Sequence, residues 1–580
     1  MKKNYWTEKF SRKEVVQSTE NLIDKIILSL QYSDIDLLNN HSLTIKELNM
    51  LFRWPLFVSV GIFIERLMQL TNNSDLKLEN NTLAKNYTYY NNLIDATKAL
   101  YYDEKLNDKL ISDISNILTN KKKELNDTVI NKEVEAEANS LLKKNYTLLG
   151  LRNLIKRKIV KFYDYFYEYE DIDFLYDNSK HLNLIFEKKN KIREYEFKFY
   201  KINNRSRLKM KECFNKEFIK FLDLLFFKSL NLDNIKKKEI SNLFSIWVDS
   251  SIPQSIFEGL QERINFYNIK YMNNSKLKSL HTTLGIYTME NWKVLALLAK
   301  RKNIRLIGHE HGINNFIENF PEDDRPLFSK GNHMFYGADY HLIWGIDDQN
   351  DQFKKGKGSF KTKIYSLGSV YLHTLGKIEN KNNNFKKEMN LLFINSPLNK
   401  YMTNLHEILP EVNLMHKENV CVFLKQIINK YDNVKIFYKD FPNNYKSIAN
   451  IILKEEIQKN RIIITNENPT KLMKKVDLVI FDMISTGVAE SFSMDVPTFI
   501  YSHDYFYTQA TKNGRKINDE LEKNGILFYD KVSGMQSLNN FILNKEEFIN
   551  STKEIIKKFQ KNISYSVSKE QFIESLKQLN

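Results

Sequence analysis

Asp477-Leu478-Val479-Ile480-Phe481-Asp482-Met483-Ile484-Ser485-Thr486-Gly487-Val488-Ala489-Glu490 decides the fold, because a short apolar run breaks into a small, hydroxyl-rich turn that opens a helical pattern. An uninterrupted apolar run of this length reads as a strand buried on both faces, the kind that parallel sheets contain. The unit recurs around it. LLFI (391–394), VKIFY (434–438), RIIIT (461–465) and PTFIY (497–501) are further strand candidates, separated by helical stretches over 418–430 and 445–458. Repeated βα steps predict a doubly wound parallel sheet, in which ligands gather at the carboxyl ends of the strands.

The same texture begins upstream near Leu280. An amphipathic helix is expected over 289–300 (MENWKVLALLAK), then strands at RLIG (305–308), YHLIW (340–344) and KIYSL (363–367), the last two closed by Gly345 and Gly368. The polar run ENKNNN (379–384) separates the two halves. Before residue 160 the apolar residues instead recur at helical spacing, as in Val15, Leu22, Ile26, Ile27 and Leu30. Thr44 and Glu47 form a capping box for a helix reaching Leu70, with a bend expected at Pro55. The division that follows is a helical region over 1–160, a first α/β lobe over 161–384 and a second over 385–580.

A chain of 580 residues accommodates several domains at roughly 100–200 residues each. Its 42% hydrophobic and 13% aromatic content excludes wholesale disorder. Cys213 and Cys421 are too few for a disulfide framework or a cysteine metal site, and suit a reducing compartment. The start, MKKNYWTEKFSRKEVVQ, has positive charge without the apolar core of an export signal, so a cytoplasmic location is expected. PLFVSVGIFI (55–64), stopped by Glu65 and Arg66, is about half of the roughly 20 residues a membrane span needs and reads as core. A net charge of +16 suits any anionic partner. The aromatic stretch 162–200 interleaves its rings with Asp164, Glu168, Glu170, Asp171 and Asp173, which would repel phosphates; a core or interface element is expected there, not a nucleic-acid platform.

Two motifs carry chemistry. Free N–H groups at the start of a helix, with Ser485, Thr486 and Gly487 in the turn, suit a phosphate, and Glu490, one turn on, suits ribose hydroxyls. An ordinary cap followed by a surface glutamate would look the same. Gly308-His309-Glu310-His311-Gly312 ends a strand in two imidazoles and a carboxylate, which suits a general base; a metal pair or a structural loop are the alternatives. Lys439, Ser396, Gly368 and Ser369 complete a ring of strand ends around one cleft. The acidic pairs Asp171/Asp173 and Asp347/Asp348 are expected by chance in so charged a chain. Gly-rich Lys loop, GxGxxG and GxSxG signatures are missing from the sequence, which argues against an NTPase, a dehydrogenase or an α/β hydrolase.

His311-Gly312, Ala338-Asp339-Tyr340-His341-Leu342-Ile343-Trp344-Gly345, Ser366-Leu367-Gly368-Ser369, Asp477 to Glu490 and Val496-Pro497-Thr498 together resemble bacterial surface-carbohydrate-biosynthesis transferases, distantly similar to capsule Kdo transferases and teichoic-acid glycerophosphotransferases. The likeness runs over about 252–501, takes in Pro253 and Glu258, and has Glu310 where most members have Gln. It implies an α/β GT-B architecture, two Rossmann-like lobes around a cleft beside an additional, mainly helical N-terminal region. It further implies a metal-independent glycosyltransferase without a cofactor, using a nucleotide sugar as substrate, cytidine-linked as with Kdo. His311 and Glu310 would then be catalytic, and Ser485, Thr486, Gly487, Glu490, Lys439, Ser396, Gly368 and Ser369 donor-binding. The partners implied are a glycan or lipid-linked acceptor and the anionic inner membrane, touched peripherally. A CDP-polyol phosphotransferase, a two-lobed nucleotide-sugar epimerase and a non-catalytic nucleotide-binding assembly protein remain alternatives.

Overall fold

All strands of the two large sheets are parallel, so each is reached by a crossover and must be covered on both faces. The computed structural model describes residues 12–72, 86–119, 130–131, 173–177, 179–192, 200–223, 232–283, 285, 289–313, 337–345, 362–376, 388–400, 410–442, 444, 446–504, 507 and 512–579. About half of the aromatic stretch, both acidic pairs apart from Asp173, and the expected boundaries at residues 160 and 384 lie outside these residues.

In the first sheet β1 (Phe174–Tyr176), β2 (Ser279–Thr282), β3 (Arg305–His309), β4 (Tyr340–Ile343) and β5 (Lys363–Ser366) lie side by side in chain order. In the second, β6 (Met389–Ile394), β7 (Val434–Lys439), β8 (Ile462–Ile464), β9 (Leu478–Phe481), β10 (Thr498–Tyr501) and β11 (Leu527–Phe528) lie in the order β8-β7-β6-β9-β10-β11. That order reverses between β6 and β9, so the second sheet is doubly wound and has the topological switch point of a Rossmann fold. Every strand expected from an apolar run is present. β2 (Ser-Leu-His-Thr) was not legible because its buried residues are mostly polar, nor was the two-residue β11.

Strands laid down in chain order with right-handed crossovers send their connections to one face of the sheet. That face carries α7 (Glu290–Arg301, between β2 and β3) and, behind it, α1 (Arg12–Gln31), α2 (Ile45–Asn72), α3 (Glu104–Leu118), α5 (Asn204–Leu222) and α6 (Asn234–Ser251). One hydrophobic core runs from Val15 through Leu280 and Leu306 to Ala338, so the N-terminal helices and the first sheet are built together. The capping box forms as expected, with Thr44 N–H donating to Glu47 Oε2 at 2.9 Å, and Arg301 on α7 binds the same carboxylate at 2.5 Å. α2 continues through Pro55; its 27 residues Ile45–Thr71 are long and apolar enough to cross a bilayer, yet the apolar window is 94% buried inside the protein, which makes it a core helix. Glu258 clamps the buried Arg207 through two hydrogen bonds, at 2.8 and 2.6 Å, which gives it a structural job.

The other face of the first sheet, with Tyr176, Ile307 and Leu342, is covered by α4 (Lys180–Ile185) and by the last helix of the chain, α12 (Lys569–Gln578), through Phe572 and Leu576. This departs from the expected second lobe of 385–580. The chain leaves that lobe after α11 (Lys545–Ile563) and crosses back: Tyr565 N–H donates to Trp344 O (3.1 Å), Ser369 N–H to Tyr565 O (2.7 Å) and Val567 N–H to Ser369 O (3.3 Å). The physical reason is the apolar surface of this face, Tyr176, Ile307 and Leu342, which α4 and the returning helix bury together. Burying a Phe or Leu side chain is worth about 1.5–3 kcal/mol, enough to hold the returning helix.

Candidate functional site

The chain after β3 and β5 of the first sheet meets the helix that follows β9 of the second, at Gly312 with Thr486 and at Tyr371 with Glu490. On the first lobe β3 ends at His309 and runs on into Glu310 and His311, and Asp177, just after β1, lies within electrostatic reach of His311. Asp177 is held by Ser179 N–H on Oδ1 (2.9 Å), and by Thr282 Oγ1 (2.6 Å) and Thr283 N–H (2.7 Å) on Oδ2. Burial pulls the His311 pKa down to about 4 and the Asp177 carboxylate opposes that shift, so His311 is neutral near pH 7 and has a lone pair to accept a proton. Asp177 was not found from sequence. Its only signal is an aspartate closing the apolar triplet Phe174-Leu175-Tyr176.

The other members of that motif have structural roles. Glu310, expected beside His311 as catalytic, is 3% exposed and accepts the Trp344 N–H at 2.7 Å, so its carboxylate ties β3 to the end of β4. His309 joins a buried chain in which Ser279 Oγ, His281 and His309 lie 3.1 and 3.0 Å apart. Neutral tautomers satisfy it: the hydroxyl donates to His281 Nε2 and His281 Nδ1–H donates to His309 Nε2. Gly368 and Ser369, expected at the donor, are taken up by the crossover. Gly368 has φ +81 against Val567, a conformation that favours glycine, and Ser369 Oγ accepts Leu372 N–H to cap α8 (Val370–Thr374).

On the second lobe the switch point lies between β6 and β9, and Ser396 and Ser485-Thr486 follow those two strands. Ser396 donates its N–H (3.0 Å) and its hydroxyl (2.9 Å) to the buried Asp482 carboxylate. Lys417 on α9 (Pro410–Lys430) forms a short ion pair with the same carboxylate, and His416 Nε2 lies 2.9 Å from Asp482 O. Burial opposes ionisation of Asp482, but Lys417, His416 and the Ser396 N–H outweigh it and hold the carboxyl below its ordinary range. This buried knot fastens the two loops that frame the crevice; Lys417 and His416 gave no sequence signal inside an ordinary amphipathic helix. Replacing Lys417 with Met is expected to destabilise the protein by about 3–5 kcal/mol in urea unfolding, because it strands the Asp482 charge. A loss below about 1 kcal/mol would mean that the pair contributes little.

Ser485 occupies the N-cap of α10 (Thr486–Ser493), but its hydroxyl makes no cap bond, which leaves the helix start without a side-chain cap. Lys439 ends β7 with no ammonium partner among the described residues. Glu490 is not the surface residue of the simple cap pattern. Its Oε1 accepts the Tyr371 hydroxyl of the first lobe at 2.7 Å.

The lobes meet here directly. A Cβ on Gly312 would collide with the Thr486 side chain, so the loop carrying His311 can approach the start of α10 only because residue 312 lacks one. Ile313, Trp344, Tyr371 and Leu372 of the first lobe share a hydrophobic cluster with Val488, Ala489 and Phe492 of the second. The arrangement combines a neutral base from one lobe with an anion-compatible helix start from the other. Among the described residues no group of three or more His, Cys, Asp and Glu is placed to hold a metal ion.

Two Rossmann-like lobes facing each other, helices continuous with the first, and strand ends meeting in a cleft define an α/β protein of GT-B architecture. The chain matches the LIC12162 family transferase over residues 56–572 and belongs to that family of transferases. No curated protein sequence matches it. Among solved structures it is similar to S. aureus MnaA with UDP (14% identity, 56% of this chain and 78% of that one, TM-score 0.35). It is also similar to UDP-GlcNAc 2-epimerase from Neisseria meningitidis bound to UDP-GlcNAc (13%, 56% and 81%, TM-score 0.34) and to the pneumococcal O-GlcNAc transferase GtfA in complex with UDP and GlcNAc (12%, 53% and 58%, TM-score 0.32).

Proposed function

We propose that this transferase moves a sugar from a nucleotide-activated donor onto a hydroxyl of a bacterial surface glycan or lipid-linked acceptor. The observation that carries the reading is the meeting of Gly312 with Thr486, which sets the loop of a neutral histidine against the start of α10. His311 takes the acceptor hydroxyl proton as the new bond to the anomeric carbon forms. The bond from that carbon to phosphate breaks, and its electron pair leaves with the nucleotide. The N–H groups opening α10 and the Ser485 and Thr486 hydroxyls stabilise the departing phosphate; one preorganised donor is worth about 3 kcal/mol. Lys439, at the end of β7 two strands from β9, adds positive charge, and Asp177 holds His311 in a favourable field.

The nucleotide is proposed to be cytidine-linked, a preference supported by the sequence resemblance. The basic chain is proposed to rest on an anionic inner membrane, at about 1 kcal/mol for each well-placed Lys or Arg. Thermal-shift and calorimetric titrations with CMP, CDP, UDP, GDP and ADP test the donor. At 100 times its dissociation constant the correct nucleotide should add about 2.7 kcal/mol of stability, and the Ser485→Ala/Thr486→Ala variant should lose most of that gain. No stabilisation by any of the five would refute the donor reading.

A further inference from the structure

The contact between Tyr371 and Glu490 joins opposite walls of the cleft. Tyr371 stands on α8, whose first turn is capped by Ser369 Oγ and whose start is gripped by the returning chain at Tyr565 and Val567. Glu490 stands on α10, one turn beyond Thr486. Lys180, at the start of α4, lies with its ammonium 3.4 Å from the Tyr371 hydroxyl oxygen and 4.5 Å from the ring centroid, while the His181 ring packs 4.5 Å from the same ring. Three residues from three helices therefore form one directed chain: Lys180 Nζ donates to Tyr371 Oη, whose O–H donates to Glu490 Oε1. Each donor polarises the next, which strengthens the bond that reaches the carboxylate.

We infer that Tyr371 is a positioning residue for the donor, holding the Glu490 carboxylate in the orientation that offers its second oxygen to the ribose hydroxyls of the nucleotide, and doing so only when the two lobes are together. Oε1 is occupied by Tyr371, whereas Oε2 has no protein partner among the described residues. A carboxylate fixed through one oxygen and open at the other is an acceptor of defined direction, which suits a vicinal diol. Burial raises the Glu490 carboxyl above its ordinary range, and the Tyr371 hydrogen bond and the Lys180 charge limit that rise. Lys180 also offsets the repulsion between Glu490 and a phosphate bound at Ser485 and Thr486. Because Tyr371 belongs to the first lobe and Glu490 to the second, the ribose contact is complete only in the closed arrangement, and donor binding favours closure by the same free energy.

The inference rests on the nucleotide-donor reading, and a double-mutant cycle on nucleotide binding separates the two. CMP, CDP and UDP would be titrated into the full-length wild type, Tyr371→Phe, Glu490→Gln and the double variant, with thermal stability measured beside each. Tyr371→Phe removes one hydroxyl and keeps the ring that packs on His181 and Lys180. The expected result is a dissociation constant raised roughly tenfold by Tyr371→Phe, as for loss of one hydrogen bond to a charged group. The double variant should then be no weaker than Glu490→Gln alone, since Tyr371 acts through Glu490. A purely structural tyrosine would lower thermal stability and give no such coupling. Unchanged affinity in Tyr371→Phe, or losses that multiply in the double variant, would overturn the inference and leave the donor reading standing. A wild-type protein that binds none of the three would overturn both.

Discussion

His311→Ala is expected to lower transfer by roughly 10²–10⁴-fold while the nucleotide still binds, because general-base assistance contributes a factor of that size and the phosphate groups are held by the other lobe. The prediction follows from position and protonation together. His311 closes β3 at the cleft, and burial keeps its imidazole neutral above a pKa of about 4, so nearly every molecule carries the base form at pH 7. Asp177 contributes a negative charge that favours the imidazolium as it forms. Single-turnover transfer and calorimetric nucleotide binding, measured on the same preparations, check the claim. Full transfer by the alanine variant would remove His311 from the mechanism; loss of both transfer and binding would place it in donor recognition.

Acid is expected to unfold this protein well before its carboxylates titrate. His281 is 3% exposed with its pKa pulled down to about 3, and His416 is 2% exposed with its pKa pulled down to about 4, in both cases chiefly by burial. In the unfolded chain each returns to about 6.5. Between pH 6.5 and those folded values the unfolded state binds the extra protons, so stability is intact above pH 6.5 and falls as the pH falls, until about 4 for His416 and about 3 for His281. At pH 5 each histidine should have removed roughly 2 kcal/mol. His309 and His341 are depressed by burial in the same sense. Urea unfolding at pH 7.5 and pH 5 checks this, and His281→Gln should flatten the slope. A stability unchanged between those pH values would mean that the buried imidazoles are already charged or solvated.

The sequence by itself determined most strands of both sheets and, in the second lobe, the run from β6 to β10. Apolar runs such as Leu478 to Phe481 and Leu391 to Ile394 are strands because local period and β propensity act over a few residues, and the hydroxyl-rich turn at Ser485-Thr486 marks the switch point for the same local reason. Polar strands escaped that test: β2 buries Ser279 against His281 of the same strand, His281 also against His309 on β3, and Thr282 against Asp177 just after β1. Only the tertiary structure decided which members of each motif face the cleft. His311 comes within electrostatic reach of Asp177, 134 positions away in the chain by their numbers, while Glu310 turns to the Trp344 N–H and Gly368 and Ser369 are claimed by the returning C-terminal segment. Likewise Lys417 meets Asp482 and Tyr371 meets Glu490 only because winding order and lobe packing bring them together. A periodic pattern records which side of an element is apolar. It does not record which distant segment will cover that side, and here α4 and the returning helix α12 together covered the face with Tyr176, Ile307 and Leu342.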